Sequence, residues 1–252
     1  MLEVTILAVL QGVAEFLPIS SSGHLVLGKS MLGLGEAGLR LDIFLHVGTI
    51  LSILVFYFSI IRRIIVNLEW SYLLKIVVSA VPAALVGVLF KDDLEALFAS
   101  PKMVGGALIF TGVVLTLTRL LPKGDREVSL GRALIIGLAQ ALAILPGVSR
   151  SGMTLAAARA SKVEASRSAE FSFLMSVPPI AGAALLEVLH GLKDSSAAAG
   201  EVSWSLVIYG GILSAVVGYF ALKVLVSALK GKWFWLFGPY CLLAGLLTLV
   251  LV

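Results

Sequence analysis

The chain has 252 residues, of which 59% are hydrophobic and 13% charged, with a net charge of +4 and a mean hydropathy of +1.06. A soluble domain carries about 25% charged residues, so the composition excludes an ordinary soluble protein and predicts a single membrane domain over residues 1–252. The basic residues are scattered over short loops, which argues against a nucleic-acid partner, and the single cysteine excludes a disulfide framework.

Six apolar stretches are long enough to cross a bilayer, which needs roughly 20 residues. They lie at about 41–61, 73–90, 103–121, 168–190, 204–222 and 234–252. Charged or turn residues bound each stretch, and all four tryptophans fall at predicted ends, as the aromatic belt of membrane proteins requires. The sequence therefore predicts six transmembrane helices.

Two further apolar regions, 2–34 and 132–160, are interrupted near their middles. The interruptions are the segments LPISSSG at 17–23 and LPGVSRSG at 145–152. The apolar flanks of each interruption are too short to cross a membrane alone, which is typical of a re-entrant helical hairpin that enters and leaves on one side. A kinked helix that spans the bilayer is the alternative.

The positive-inside rule assigns the two sides of the membrane. If the six stretches cross and the two interrupted regions do not, thirteen of the 19 Lys and Arg residues fall in loops on one side and five on the other. The basic side is then cytoplasmic, and both termini face outward. The sequence predicts a multi-pass protein of the plasma membrane.

The two interrupted regions form an internal repeat. Gln11 precedes Ser20 by nine positions, and Gln140 precedes Ser149 by the same interval, at an offset of 129 residues. Three spans follow each hairpin, so the halves, about 1–125 and 126–252, would be inserted in opposite orientations. The predicted fold is an all-α inverted repeat of the kind found in secondary transporters, where broken helices meet near the midplane.

Two charged residues, Glu15 and Arg150, lie inside the predicted hairpins. A charge within the bilayer is costly and marks a functional site by default, and the repeat would bring these two residues together. Alternatively, the pair only holds the hairpins to each other.

The serine clusters can open a helix at each turn. The residues concerned are Ser20, Ser21, Ser22 and Gly23 in the first hairpin and Ser149, Ser151 and Gly152 in the second. Two helix N-termini that face one point bind an anion, phosphate above all, and an arginine fork suits phosphate oxygens. Some of these serines are expected to serve as caps and packing residues instead.

Three residues in the first hairpin can carry further chemistry. Ser21 beside His24 offers a nucleophile and an acid–base group, and either side chain could attack. Gln11 and Glu15 share one helical face, where their oxygens could hold a hard divalent cation. We interpret His46, close to Asp42 at the start of a span, as structural.

The segments QGVAEFLPISSSGHL at 11–25 and PGVSRSGMT at 146–154 resemble the two signatures of the undecaprenyl-diphosphate phosphatase family of the bacitracin-resistance type. The likeness extends over essentially the whole chain, including 41–49 and 169–173. It implies hydrolysis of a polyprenyl diphosphate lipid to the monophosphate and inorganic phosphate, which recycles the lipid carrier of cell-wall synthesis. It also implies a site open to the outer face and a divalent cation, Mg²⁺ or Ca²⁺.

By this resemblance, Glu15 matches the essential acid of the first signature, with Gln11 at a position that holds Glu or Gln. Ser21 and His24 match the proposed nucleophile and its partner, and Arg150 matches the phosphate-binding arginine. Ser149, Ser151 and Thr154 surround that arginine. His46 stands where the family frequently has Gln.

A membrane phosphatase is therefore the predicted function, and a polyprenyl-phosphate transporter or flippase that uses the same midplane site is the alternative. Paired glycines at 105–106 and 210–211 permit close helix packing, either within one chain or between the chains of a homodimer.

Overall fold

The computed structural model describes residues 1–32, 39–90, 100–191 and 202–251, and these ranges contain twelve α-helices, two short 3₁₀ helices and no β-strand. The α-helices are α1 (Leu2–Ala14), α2 (Ser21–Leu32), α3 (Leu39–Phe56), α4 (Phe58–Val66), α5 (Trp70–Leu89), α6 (Pro101–Leu117), α7 (Leu130–Leu142), α8 (Arg150–Ala160), α9 (Ala165–Leu174), α10 (Val177–Gly191), α11 (Trp204–Lys230) and α12 (Phe237–Leu251). The 3₁₀ helices are Thr118–Leu120 and Phe234–Leu236.

Four helical segments are long and apolar enough to cross a membrane, which confirms the spans predicted at 73–90, 103–121, 204–222 and 234–252. They are Trp70–Leu89, Pro101–Leu120, Trp204–Lys230 and Phe234–Leu251. Their outward side chains are apolar: Val88 is 79% exposed and Val250 82%. Such surfaces suit lipid rather than water, and the protein is an all-helical integral membrane protein.

The predicted spans at 41–61 and 168–190 are each broken in two, so neither is a continuous helix. The chain leaves helical geometry at Tyr57, and the axes of Arg40–Phe56 and Phe58–Val66 differ by 73°. In the second stretch, α9 ends at Leu174 and α10 begins with Pro178 and Pro179 in its first turn. Proline cannot continue a preceding helix but is tolerated in a first turn.

The interruptions predicted at 17–23 and 145–152 are confirmed as breaks between short helices. Helix α1 packs against α2, and α7 packs against α8. Left-handed backbone marks both turns, at Ser20 with φ 72° and at Gly147 with φ 92°. A serine in this conformation is strained, and such strain persists only where surrounding contacts hold it in place.

The first helix of each interrupted region packs along a long helix elsewhere in the chain. Helix α1 packs along α11, and α7 packs along α5. The most extensive contact joins α6 to α12, and the next joins α3 to α11. The largest core cluster includes Phe16 and Phe173 and lies between the turns and α11.

Glycines allow the α6–α12 pair to approach closely. A Cβ added at Gly112 would lie 2.7 Å from the Leu242 nitrogen and 2.9 Å from the Gly238 oxygen. The paired glycines at 105–106 and 210–211 pack mostly against helices of the same chain. Gly105 lies against Leu249, and Gly211 lies against the Phe44 carbonyl. Only Gly106 of these four has open space around it.

We expect Gly112→Ala to destabilise the protein, because the new methyl group would force the backbones of α6 and α12 apart. Overpacking of this kind costs about 1–3 kcal/mol. Gly106→Ala, in the same helix, gains the same helix propensity without a clash and is the matched control. Thermal unfolding midpoints in detergent measure both effects, and equal midpoints for the two variants would contradict the packing described here.

Candidate functional site

The tips of the two turns meet in the protein interior. The hydroxyl of Ser151 donates a hydrogen bond to the carbonyl oxygen of Leu17 at 3.3 Å. A Cβ added at Gly23 would lie 3.2 Å from the Gly147 Cα, so a larger residue would press the two turns slightly apart. The turns therefore form one unit, although they are more than a hundred residues apart in sequence.

The carboxylate of Glu15 is the centre of this unit and is only 7% exposed. Its Oε1 accepts a hydrogen bond from Arg150 Nη2 at 2.5 Å. Its Oε2 accepts from the hydroxyl of Ser21 at 2.7 Å and from Gln11 Nε2 at 3.1 Å. The structure thus brings together four of the predicted site residues, and the Glu15–Arg150 pair joins the two halves of the chain.

Glu15 engages only part of the Arg150 guanidinium. Its Nη1 is buried and has no hydrogen-bond partner among the residues that the structure describes. The guanidinium carbon lies 5.8 Å from the centre of the Phe173 ring, and that ring packs edge-on against Phe16. Aromatic packing holds the cation in position and leaves one nitrogen available to a ligand.

Both helices that begin at the turns have a serine cap. Ser20 Oγ accepts from the Gly23 N–H at 3.3 Å, and Ser149 Oγ accepts from the Gly152 N–H at 3.1 Å. The capping prediction for some of the serines is confirmed at these two positions. The first N–H groups of α2 and α8, which follow each cap, have no acceptor within their own helices.

Two other predicted ligand residues make internal contacts. Thr154 is fully buried, donates to the Arg150 carbonyl at 2.8 Å and pairs with the Ser172 hydroxyl at 2.6 Å. Ser151 is 2% exposed and bonds across the turns as described above. These contacts fix α8 in place, and a role for either side chain toward a ligand stays a prediction.

A cavity of about 270 Å³ adjoins the Glu15 carboxylate. Its polar wall is formed by Glu15, Ser21, Ser22, His46 and Arg150. Its apolar wall is formed by Ala143, Ile144, Val148, Pro179, Ile180 and Ala184. The cavity can therefore take a molecule with an anionic end and an apolar continuation.

His24 does not contact Ser21 in this structure. Its Nδ1 lies 2.9 Å from the Ser20 carbonyl, an acceptor, so Nδ1 carries the proton. Its Nε2 is 2.8 Å from the Tyr240 hydroxyl, and the two rings stack with centroids 5.7 Å apart. The expected pairing of Ser21 with His24 is replaced here by the pairing of Ser21 with Glu15.

His46 lies on the cavity wall beside the predicted site residues, and its interpretation as a structural residue stays a prediction. Its Nδ1 donates to the Asp42 carbonyl at 2.9 Å, while no partner of its Nε2 occurs within the described ranges. A histidine inside an apolar span was the available signal, because ionisable groups at membrane depth are usually functional.

The comparisons with known proteins agree with this geometry. The family model of the bacitracin resistance protein BacA matches residues 4–247. The chain belongs to the bacitracin resistance protein BacA family.

Curated relatives of this family match over their full lengths. A protein of Halothermothrix orenii is 40% identical over 99% of this chain and 97% of the relative. One from Rhodopirellula baltica is 41% identical over 100% and 98%, and one from Desulforapulum autotrophicum is 37% identical over 97% and 96%. Each of the three is named undecaprenyl-diphosphatase.

The oxygens near Glu15 fit a cation only if a ligand contributes others. Within the described part of the chain, no group of three or more His, Cys, Asp or Glu side chains could hold a metal ion. Gln11 Oε1 is buried beside Glu15 and has no donor in the same part of the chain. One carboxylate and one amide oxygen suit a Mg²⁺-type ion that keeps waters and takes its remaining oxygens from phosphate.

Another cavity, of about 760 Å³, lies away from Glu15 and Arg150. Ion pairs neutralise much of the charge on its walls, among them Arg63–Glu69 at 3.0 Å and Arg167–Glu127. Its size therefore does not make it the stronger candidate.

A double-mutant cycle on Glu15 and Arg150 should show strong coupling. Glu15→Ala or Arg150→Ala alone leaves an uncompensated buried charge, at a cost of about 3–5 kcal/mol, whereas the double variant should cost less than the sum. The surface pair Arg63–Glu69 is the control and should couple by less than about 1 kcal/mol. Unfolding in detergent measures both cycles, and additive effects at Glu15 and Arg150 would contradict a buried ion pair.

Proposed function

We propose that this protein hydrolyses undecaprenyl diphosphate to undecaprenyl phosphate and inorganic phosphate, and so recycles the lipid carrier of cell-wall synthesis. The observation that carries the proposal is the Glu15–Arg150–Ser21 cluster at the facing N-termini of α2 and α8. The shared name of the full-length relatives supports the same substrate.

The substrate's charged end fits the polar wall of the cavity. Arg150 Nη1 would bind a phosphate oxygen, and the free N–H groups at the starts of α2 and α8 would bind others. The first isoprenoid carbons would lie against Ile144, Pro179 and Ile180. Since the diphosphate needs several donors at once, both turns are required to hold it.

Ser21 is the proposed nucleophile. Its oxygen would attack the terminal phosphorus while Glu15 accepts the hydroxyl proton, and the bond from that phosphorus to the bridging oxygen would break. Undecaprenyl phosphate leaves with the proton passed on from Glu15, and a phosphoserine remains. Water then attacks this phosphorus and gives a proton to the freed Glu15 carboxylate. The bond from the phosphorus to the Ser21 oxygen breaks, that oxygen takes the proton from Glu15, and inorganic phosphate is released.

The two histidines would have different tasks. His46 Nε2 lies on the cavity wall and could hold a proton near the leaving phosphate. His24, bonded to Ser20 and Tyr240, would maintain the first turn. Attack by His24 itself is the alternative, which requires its ring to leave Tyr240.

A divalent cation, Mg²⁺ or Ca²⁺, is part of the proposal. Glu15 and Gln11 Oε1 would hold it together with oxygens of the diphosphate. When bound, the cation would offset the charge that builds up on the phosphate oxygens.

We also infer an inverted repeat of six crossings and two re-entrant hairpins. The equivalent caps of α2 and α8 and the equivalent packing of α1 on α11 and α7 on α5 support the repeat. In this arrangement, α3 with α4 and α9 with α10 count as one broken crossing each. The distribution of Lys and Arg supports a cavity open to the outer face and both termini outside.

Transport of a lipid phosphate, the alternative considered from the sequence, finds no support in the relatives' names. Release of inorganic phosphate by the purified protein in detergent distinguishes the two functions, because no transport is possible there.

We expect metal-dependent release of inorganic phosphate from undecaprenyl diphosphate in detergent, with Mg²⁺ or Ca²⁺ present, and its loss with a chelator. Arg150→Ala should lower the rate by about 10²–10³-fold, because a donor to the developing phosphate charge is lost. Arg62→Ala, an exposed arginine on α4, should leave the rate unchanged. A well-folded wild-type protein that releases no phosphate with either metal would refute the function.

Ser21→Ala should abolish phosphate release, whereas His24→Gln and His46→Gln should lower it less. Labelling with terminally radioactive substrate and an acid quench identifies the nucleophile, because phosphoserine survives acid and phosphohistidine does not. Acid-stable label that is absent from Ser21→Ala is the expected result. Acid-labile label that persists in this variant would assign the attack to His24.

A further inference from the structure

A second cavity, of about 190 Å³, lies at the opposite end of α8 from the candidate site. Arg159, on its wall, follows Arg150 by nine residues along the helix, a distance of about 14 Å at 1.5 Å per residue. The two cavities share no lining residue. The second cavity is thus a separate site.

The second cavity is strongly basic. Its wall carries Lys123, Arg159, Lys230 and Lys232 but only one acid, Glu164. The Glu164 carboxylate caps α9 and accepts the N–H groups of Ser166 and Arg167, both at 3.0 Å. Glu164 therefore supplies one negative charge against four positive ones, and the wall of the cavity keeps an excess of positive charge.

An apolar floor and an unused donor make this a formed pocket rather than a group of surface lysines. Leu155, Val163 and Leu229 beneath it are 0%, 2% and 5% exposed. The Nε of Arg159 is buried and has no acceptor among the described residues. A buried guanidinium donor without a partner is costly, and an oxyanion would satisfy it.

The loop that presents Lys123 is fixed in advance. The Arg126 N–H donates to the Lys162 carbonyl at 3.0 Å, and the Glu164 N–H donates to the Arg126 carbonyl at 3.0 Å. A Cβ added at Gly124 would lie 2.3 Å from the Val163 oxygen, so the backbones touch there. Ligand binding therefore costs less conformational entropy, because this wall of the pocket is already ordered.

We propose that this pocket binds a phosphate group, either the headgroup of an anionic phospholipid or a soluble phosphate. Basic pockets between helices at the cytoplasmic side of membrane proteins bind phospholipid headgroups. The pocket lies among the basic loops on the side away from the candidate site's proposed opening. The proposal is independent of the hydrolytic function.

Thermal unfolding in neutral detergent, followed by tryptophan fluorescence, tests the pocket. The probes are dioctanoyl phosphatidylglycerol, dioctanoyl phosphatidylcholine and inorganic phosphate, at constant ionic strength. All are measured in the wild type and in Arg150→Ala, so that phosphate bound at the candidate site is separated from phosphate bound here. The pocket variants are Lys123→Gln/Lys230→Gln and Arg159→Gln, and the charge-matched control is Arg62→Gln/Lys223→Gln.

At saturation, the probe that binds, phosphatidylglycerol or inorganic phosphate, should raise the unfolding midpoint of the wild type and the control by about 2–4 °C. The rise should be lost in both pocket variants. A rise with phosphatidylglycerol alone assigns the pocket to a lipid headgroup, and one with inorganic phosphate alone assigns it to a soluble phosphate. No rise with either probe, or an equal rise in pocket variants and control, would overturn the proposal.

Discussion

The buried pair of Glu15 and Arg150 constrains the rest of the structure. Two opposite charges removed from water are costly unless they meet each other with good geometry. This pair joins residues 135 positions apart at 2.5 Å, so the two turns must face each other in one register. The close backbone approach at Gly23 and Gly147 follows from that requirement.

The two turns share a backbone plan but contribute different chemistry. Each places a serine cap before a helix, with the same hydrogen bond to the third residue beyond it. The first turn supplies a carboxylate and a hydroxyl, and the second supplies a guanidinium. The two turns thus have similar caps but different chemistry, because only unlike groups can pair and act on an anion together. Helix α8 begins at Arg150 and also contains Arg159, which lines the second cavity.

The sequence predicted the features that local chemistry decides. Proline and serine clusters located both turns, hydropathy located four long apolar helices, and the repeat placed Glu15 beside Arg150. Hydropathy averages over a window, however, and could not show that the chain leaves helical geometry at Tyr57. Nor could hydropathy show where the side chains of His24 and His46 point. These directions depend on helix orientation and, for His24, on a contact with Tyr240, 216 residues away. Pro178 and Pro179 were an available signal for the second break, which the prediction of one span at 168–190 did not use.

The last helix closes the turn formed by the first residues of the chain. Tyr240 reaches the ring of His24, and the thiol of Cys241 donates to the Pro18 carbonyl at 3.4 Å. During synthesis the N-terminal part of the chain emerges first. Its contacts with Tyr240 and Cys241 cannot form until α12 has also emerged. A chain that lacks α12 would therefore leave the first turn without its contacts to Tyr240 and Cys241.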